Sequence, residues 1–365
     1  MAIFKTLGQN DSVATKTNLY EQIPVTGTII SGTYGTFPSE SNIKYFSSGD
    51  HIDVYDYPYA SSSANFMFSL TAGQSADTGG TAAETQLALK NNIYRLFAQQ
   101  YVGYDSNQNV IPFNVSGVLN PANTWDPDKV SNCVFMDFSR VLMKDEIQKG
   151  TFEITIGQDA YATPFATTET FTDSYAVATN PATYRSNSPM GDYAFLVTEA
   201  QATAYATAGT APSSSSYGFV FYQAGLVVLF NSSDVFGNEL TSGSSYATTT
   251  ALTPQQAAVS SSINDITNGV RAHIQNVQFN NSTELNSTVY FCRANNNEFN
   301  YSSNPSFTSA SQIVVKSSPS DPSTTYITSV GLYSADNQLL AVGKLSEPIK
   351  KTSASEFTLR VRLDY

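Results

Sequence analysis

Charge is what this chain has least of. Lys, Arg, Asp and Glu make up 13% of its 365 residues, about half the usual share. The few basic residues never gather beyond Lys350-Lys351 and the Arg360/Arg362 pair, and the net charge is −12. A chain of that sign and pattern repels phosphate, so direct nucleic-acid binding is not expected. Cysteine is nearly absent: Cys133 and Cys292 stand alone, without CxxC or Cys/His spacing, which excludes a disulfide framework and a zinc ribbon. There are two histidines. His51 stands near Asp53 and Asp56, but acidic residues so spaced read as solvated strand edges, and no metal or other cofactor is expected. No apolar run approaches the 18 residues of a membrane span. The N-terminus has no long apolar core after Lys5, so no signal peptide is expected. GxSxG, HExxH and phosphate-binding glycine loops are all missing. The trio Lys144-Asp145-Glu146 has no histidine or second carboxylate cluster beside it, so it reads as an exposed helical turn. The chain is not expected to be an enzyme.

What is present is apolar and uncharged-polar material. Apolar residues reach 41%, enough for a real core. Ser, Thr, Asn, Tyr and Phe abound, a composition that suits either a protein covered by other subunits or a β-rich secreted protein. Residues 1–48 spread their apolar positions thinly between Gly27, Gly32, Gly35 and Pro38, which predicts an extended N-terminal arm. Along it Ile3, Phe4, Leu7, Leu19, Ile23, Val25, Ile29 and Ile30 are candidate contacts with neighbouring subunits, made by an arm that orders only on assembly.

Residues 49–270 read as a mixed β/α body. Strands are predicted near Asn65–Leu70, Val134–Phe138 and Thr151–Ile156, with a strand or strand pair in Tyr217–Phe230, the most hydrophobic run. A helix over Thr81–Tyr101 carries a stripe of Leu89, Ile93, Leu96, Phe97 and Tyr101 and stops at Gly103. A short helix is predicted over Ser139–Gly150, and another begins at Thr253-Pro254, with Thr as cap and Pro in the first turn. The Ala/Thr/Ser-rich stretches within 157–216 read as hairpin loops of a protrusion. Residues 271–365 form a β-rich region sharing the body's core. The fold class predicted is mainly β, with sandwich-like antiparallel sheets and two to three covering helices (α+β).

The chain ends on Tyr326–Tyr333, the polar tetrad Ser334–Asn337, Leu339–Lys350 and then Glu356–Tyr365. The first two runs read as a β-hairpin. In the last, Phe357, Leu359, Val361 and Leu363 alternate with Thr358, Arg360, Arg362 and Asp364, which predicts a third strand with one buried face and a meander that is core to folding.

Ile327-Thr-Ser-Val-Gly-Leu-Tyr333 and Leu339-Leu-Ala-Val-Gly-Lys-Leu-Ser-Glu-Pro-Ile-Lys-Lys351 resemble a segment of virion structural proteins of contractile-tailed bacteriophages, those of cyanobacteria especially. A looser form of this hairpin occurs in phage tail and tail-fibre proteins. Met1–Leu7, Val54–Asn65, Phe138–Gly150, Asn187–Tyr193 and Tyr222–Leu229 carry further likeness. The resemblance implies a structural subunit of the tail or baseplate, with a capsid or neck decoration or cement protein, or a receptor- or glycan-binding adhesin using exposed Tyr and Trp125 side chains, as alternatives. It implies other virion proteins and further copies of this chain as partners, location in the virion, and assembly in the host bacterial cytoplasm, where Cys133 and Cys292 stay reduced. It brings no catalytic residue. A polysaccharide depolymerase would show regular strand repeats, and none is present.

Overall fold

The computed structural model describes residues 4–21, 40–80, 84–115, 129–140, 146–161, 165–177, 183–209, 216–240, 252–300, 308–309, 312–313, 320 and 324–365. In chain order its strands are β1 (Ser12–Glu21), β2 (Ile43–Tyr45), β3 (Ile52–Tyr55), β4 (Phe66–Gln74), β5 (Asn132–Asp137), β6 (Glu146–Ile147), β7 (Glu153–Gly157), β8 (Thr168–Thr172), β9 (Arg185–Ser188) and β10 (Gly191–Thr198). There follow β11 (Gly218–Phe221), β12 (Leu226–Phe230), β13 (Ile274–Gln278), β14 (Asn281–Ala294), β15 (Thr308–Ser309), β16 (Gln312–Ile313), β17 (Thr324–Tyr333), β18 (Leu339–Thr352) and β19 (Phe357–Asp364). The helices are α1 (Glu84–Tyr101), α2 (Glu199–Ala208), α3 (Ser233–Phe236), α4 (Pro254–Ser260) and α5 (Ile263–His273). The class is mainly β with antiparallel sheets and helices, as the sequence implied. Its division differs from the expected one. One compact unit is Tyr20–Thr283, and the other joins Met1–Leu19 to Glu284–Tyr365.

In the larger unit an eleven-stranded sheet runs β13-β7-β8-β10-β11-β12-β5-β4-β3-β2, with β9 added on β10. Strand β10 joins its two halves: Tyr193–Leu196 pair with β11, while Val197 and Thr198 pair with β8. The run Tyr217–Phe230 is a tight hairpin, β11 and β12, turning at Gly225 (φ 65°). Across β4, β5, β12 and β11, Thr71, Phe135, Val228 and Phe219 share one face by register. Phe97 of α1 stacks on Phe135 at 4.1 Å. The close approach of α1 needs Gly73, since a Cβ there would lie 2.9 Å from the Tyr94 backbone nitrogen.

Lys90, Tyr94, Ala98 and Tyr101 form the buried line of α1, flanked by Leu89, Ile93 and Phe97. Leu96, expected in the stripe, is 59% exposed, because it stands two positions, about 200°, from both Tyr94 and Ala98. The expected capping residue Thr81 lies outside the described residues.

Two helical expectations change. Ser139–Arg140 is a turn and Glu146–Ile147 pairs with Asn281 and Ser282 of β14, so the segment ends as strand, with 141–145 outside the described residues. Buried Ile147 gains more from that pairing than a single turn of helix supplies. Conversely, part of the Ala/Thr/Ser stretch is helix α2. Thr198 and Gln201 form a reciprocal capping box, Gly209 closes it in the left-handed region, and alanine favours it. Thr253 and Pro254 start α4 as predicted, but Ser261 is extended and Ser262 caps a second helix, α5. Buried Lys90 holds the break. Its Nζ donates to the carbonyls of Ala258 and Ser261 at the exposed-dipole end of α4, where a cation is favoured; burial lowers its pKa.

The smaller unit contains the sheet β1-β14-β19 and the separate pair β17-β18. The expected three-stranded meander does not form. After Ser355 closes a turn onto Thr352, β19 pairs along its whole length with β14, from Phe357 opposite Ala294 to Asp364 opposite Ser287. Phe357, Leu359, Val361 and Leu363 do share one face, but that face is half-buried rather than core. Truncating them therefore costs less than the 2–4 kcal/mol of a fully buried site, roughly.

Deep in the larger unit Asp173 is fully buried. Its carboxylate accepts from the Gly150 nitrogen (2.9 Å), the Phe152 nitrogen (2.9 Å) and the Tyr222 hydroxyl (2.7 Å). Burial outweighs these donors and raises its pKa from 3.8 to about 6. The folded chain thus keeps a proton that the unfolded chain has already released, so stability from this group is full below about pH 4 and is lost as pH rises through about 6. Between about pH 4.5 and 7.5 that loss is about 2 kcal/mol. Asp173→Asn cannot titrate. The excess stability of wild type over this variant is expected to shrink by that amount across the interval, as read by urea unfolding at both pH values; a constant or growing excess contradicts it.

Candidate assembly surface

In the smaller unit the β17–β18 ribbon is anchored at one end and bare at the other. Its tetrad turn closes through Ser334 N to Gln338 O (2.9 Å) and Asn337 N to Ser334 O (3.0 Å), with Asn337 in the left-handed region at φ 60°. At the base, Lys351 is completely buried. Its ammonium donates to the Asn300 side-chain oxygen (2.9 Å) and to the carbonyls of Asn296 (3.2 Å) and Thr352 (2.8 Å). Thr325 donates to the carbonyl of Phe299, an aromatic residue held at φ 57°, where bulky side chains are strained.

Toward the turn, large apolar side chains face outward. Leu340 is 69% exposed, and Tyr333, Leu339 and Val342 are also exposed. Tyr333 and Leu339 lie over Gly331, where a Cβ would meet the Tyr333 ring at 2.9 Å. Phe4 packs edge-on against Tyr333 with ring centres 4.7 Å apart. Two-stranded ribbons have little stability in water unless something covers them, and exposed contiguous apolar groups mark interaction sites.

Among the predicted arm contacts, Phe4, Leu7 and Leu19 are exposed, while Ile3, Ile23, Val25, Ile29 and Ile30 lie outside the described residues. The arm itself is corrected. Its residues Ser12–Glu21 are strand β1 on β14. The Phe291 nitrogen donates to Asp11 O at 2.8 Å, Asp11 pairs with Arg293 at 2.9 Å, and Lys5 pairs with Glu298. The partners of this stretch lie on its own chain. Sequence reasoning took the hairpin for scaffold and missed its exposed side chains. The signal was there in Leu339-Leu340-Ala341-Val342, apolar at both parities and so without a wet face.

Charge divides with the units. Tyr20–Thr283 holds nine Lys and Arg against twenty-two Asp and Glu, and the remainder holds nine against eight. The larger units of two copies repel one another, while the smaller unit carries almost no net charge.

The residues weighed as chemistry go to separate partners. His51 pairs with Asp50 (2.7 Å), Asp53 with Ser69 (2.6 Å), Asp56 with Asn65 (2.8 Å), and Glu146 with Lys149 and Ser282. Lys144, Asp145 and Trp125 lie outside the described residues. Among the described residues no group of three His, Cys, Asp or Glu is placed to hold a metal. Cys133 and Cys292 are free thiols; burial raises both pKa values, with Asp11 adding to the effect at Cys292.

Leu340→Ser with Val342→Ser is expected to shift the unfolding free energy by less than about 0.5 kcal/mol, because both side chains are already wet. Lys351→Ala is expected to cost about 1–3 kcal/mol, because it strips the buried oxygens around it of their donor. Denaturant titration of both variants checks the contrast, and equal losses would mean that the tip is folded into the core. Comparison of the chain with known protein families, with curated proteins and with solved structures finds no match.

Proposed function

We propose that this chain is a structural subunit of a tailed-bacteriophage particle, in the tail or baseplate, and that it holds neighbouring subunits together through the β17–β18 ribbon. The observation that carries this reading is the outward apolar surface formed by Tyr333, Leu339, Leu340 and Val342 with Phe4 against it. Such a surface costs solubility in an isolated molecule and is useful once covered. Support comes also from the placement of charge. A near-neutral unit offers a contact that long-range repulsion does not oppose. The resemblance of Ile327–Lys351 to virion proteins falls on this same ribbon, and the tail is favoured by the likeness to tail-fibre hairpins.

The ordered β1 strand redefines the useful deletion. Removing residues 2–30 takes away a strand of the smaller unit, whereas changing Leu340 and Val342 to Ser leaves the fold. Phage particles assembled with the Leu340→Ser/Val342→Ser chain are expected to lack it, although the variant accumulates in soluble form in the infected cell. Immunoblots of purified particles check this. Incorporation at the wild-type level would contradict the proposal.

A further inference from the structure

The larger unit carries an open cleft of about 460 Å3 over β3, β4 and β5 of its sheet. Its floor follows from register. Asp53 of β3, Ser69 of β4 and Asp137 of β5 are direct partners across three adjacent strands. Two strand spacings therefore separate the acidic residues, about 10 Å, with the serine between them. The Ser69 hydroxyl donates to Asp53 at 2.6 Å, and the Arg140 guanidinium donates to the other Asp53 oxygen at 3.3 Å. Aromatic rings supply the walls. Phe46 stacks on His51 at 4.2 Å on one side, and Phe97 stacks on Phe135 on the other.

Charge placement selects the ligand. Asp53 is 3% exposed, and its partner Arg140 is 59% exposed at the side chain, lying 4.0 Å above the Phe66 ring. Asp50, next in sequence to the lining residue His51, is held by Ser48 and His51; burial opposes its ionisation, but these contacts prevail and keep its pKa low. Asp137 accepts from the Ser139 nitrogen at 2.7 Å. An anion entering the cleft meets the Asp53 and Asp137 carboxylates of its lining, and Arg140 already answers the charge of Asp53. A neutral ligand with many hydroxyls meets no repulsion and asks for no further counter-charge. It can donate to the carboxylates, accept from Arg140, and lay an apolar ring face on an aromatic wall, the mixture of wide apolar contact and few fixed polar groups that small-molecule sites use.

We propose that this cleft binds a neutral saccharide of one or two pyranose rings. The site is independent of the ribbon, and its failure would leave the assembly role untouched. Saturation-transfer NMR and calorimetry on the full chain, with glucose, galactose, mannose, N-acetylglucosamine and their disaccharides, test it. At least one is expected to bind saturably below about 20 mM, weaker than a millimolar site by no more than about 1.8 kcal/mol. Asp137→Asn keeps the acceptor for Ser139, and Phe46→Ala trims a rim ring. Each is expected to weaken binding by at least about tenfold with melting unchanged, while Leu340→Ser binds as wild type. The proposal is overturned if no neutral saccharide saturates, or if the cleft variants bind as tightly as wild type. It is also overturned if glucose 6-phosphate, Nα-acetyl-lysine or adenosine binds more tightly at these residues than every neutral sugar.

Discussion

A helix that meets no solvent from its second turn onward sets the terms for the larger unit. From Ile266 to His273 every residue of α5 is buried, including Arg271 and His273, so each polar group there must find its partner inside the protein. Arg271 donates through Nε and an Nη to the Asn268 side-chain oxygen, at 3.1 and 2.8 Å. The His273 ring nitrogens lie 2.8 Å from Gly269 O and 3.0 Å from Asp159 O. Burial, opposed by backbone carbonyls, leaves this histidine with a lowered pKa. Asp159 is itself fixed, at φ 63°, by accepting from the Asn238 nitrogen. Gly237 is required beside it, since a Cβ would stand 2.4 Å from the Asp159 nitrogen. The far end of α5 is clamped by α1, where the Gln86 side chain accepts from Ile263 N while Lys90 holds α4. Sheet, helix pair and loops are thus mutually dependent, and a buried polar network of this kind fixes one arrangement.

The smaller unit solves the opposite problem. Among its described residues Lys351 is a fully buried cation, while the large apolar side chains of the ribbon lie outside. Nearly all of the acidic excess sits in the other unit. Function on this account follows from where folding leaves material unused. The larger unit places most of its described large apolar groups in its own interior and presents carboxylates and a cleft, whereas the ribbon presents leucine, valine and tyrosine.

The sequence carried the strands and the ends of helices well, because those are local. The run Tyr217–Phe230 declared a buried strand or strand pair, and Thr253-Pro254 declared a helix start. What depended on distant partners was not legible. The alternation of Phe357, Leu359, Val361 and Leu363 fixed the face of β19 but could not say that its partner is β14, some seventy positions earlier, and not the adjacent β18. Ile147 turned to strand for the same reason. The Ala/Thr run at 199–208 was read by composition, when its Thr198/Gln201 capping box was the stronger local sign. The cleft was out of reach, since Asp53, Ser69 and Asp137 become neighbours only once three strands are in register. The exposed ribbon was within reach, and was missed because period-two reasoning was applied to β19 and not to Leu339–Val342.

Backbone amides report directly on whether the ribbon is covered in the assembled particle. Hydrogen exchange followed by mass spectrometry, on the free chain and on chain within purified particles, gives protection segment by segment. The account predicts that peptides spanning Thr324–Thr352 gain far more protection on assembly than those covering α5 or β11–β12, which are protected in both. Equal protection of Thr324–Thr352 in free and assembled protein would contradict it.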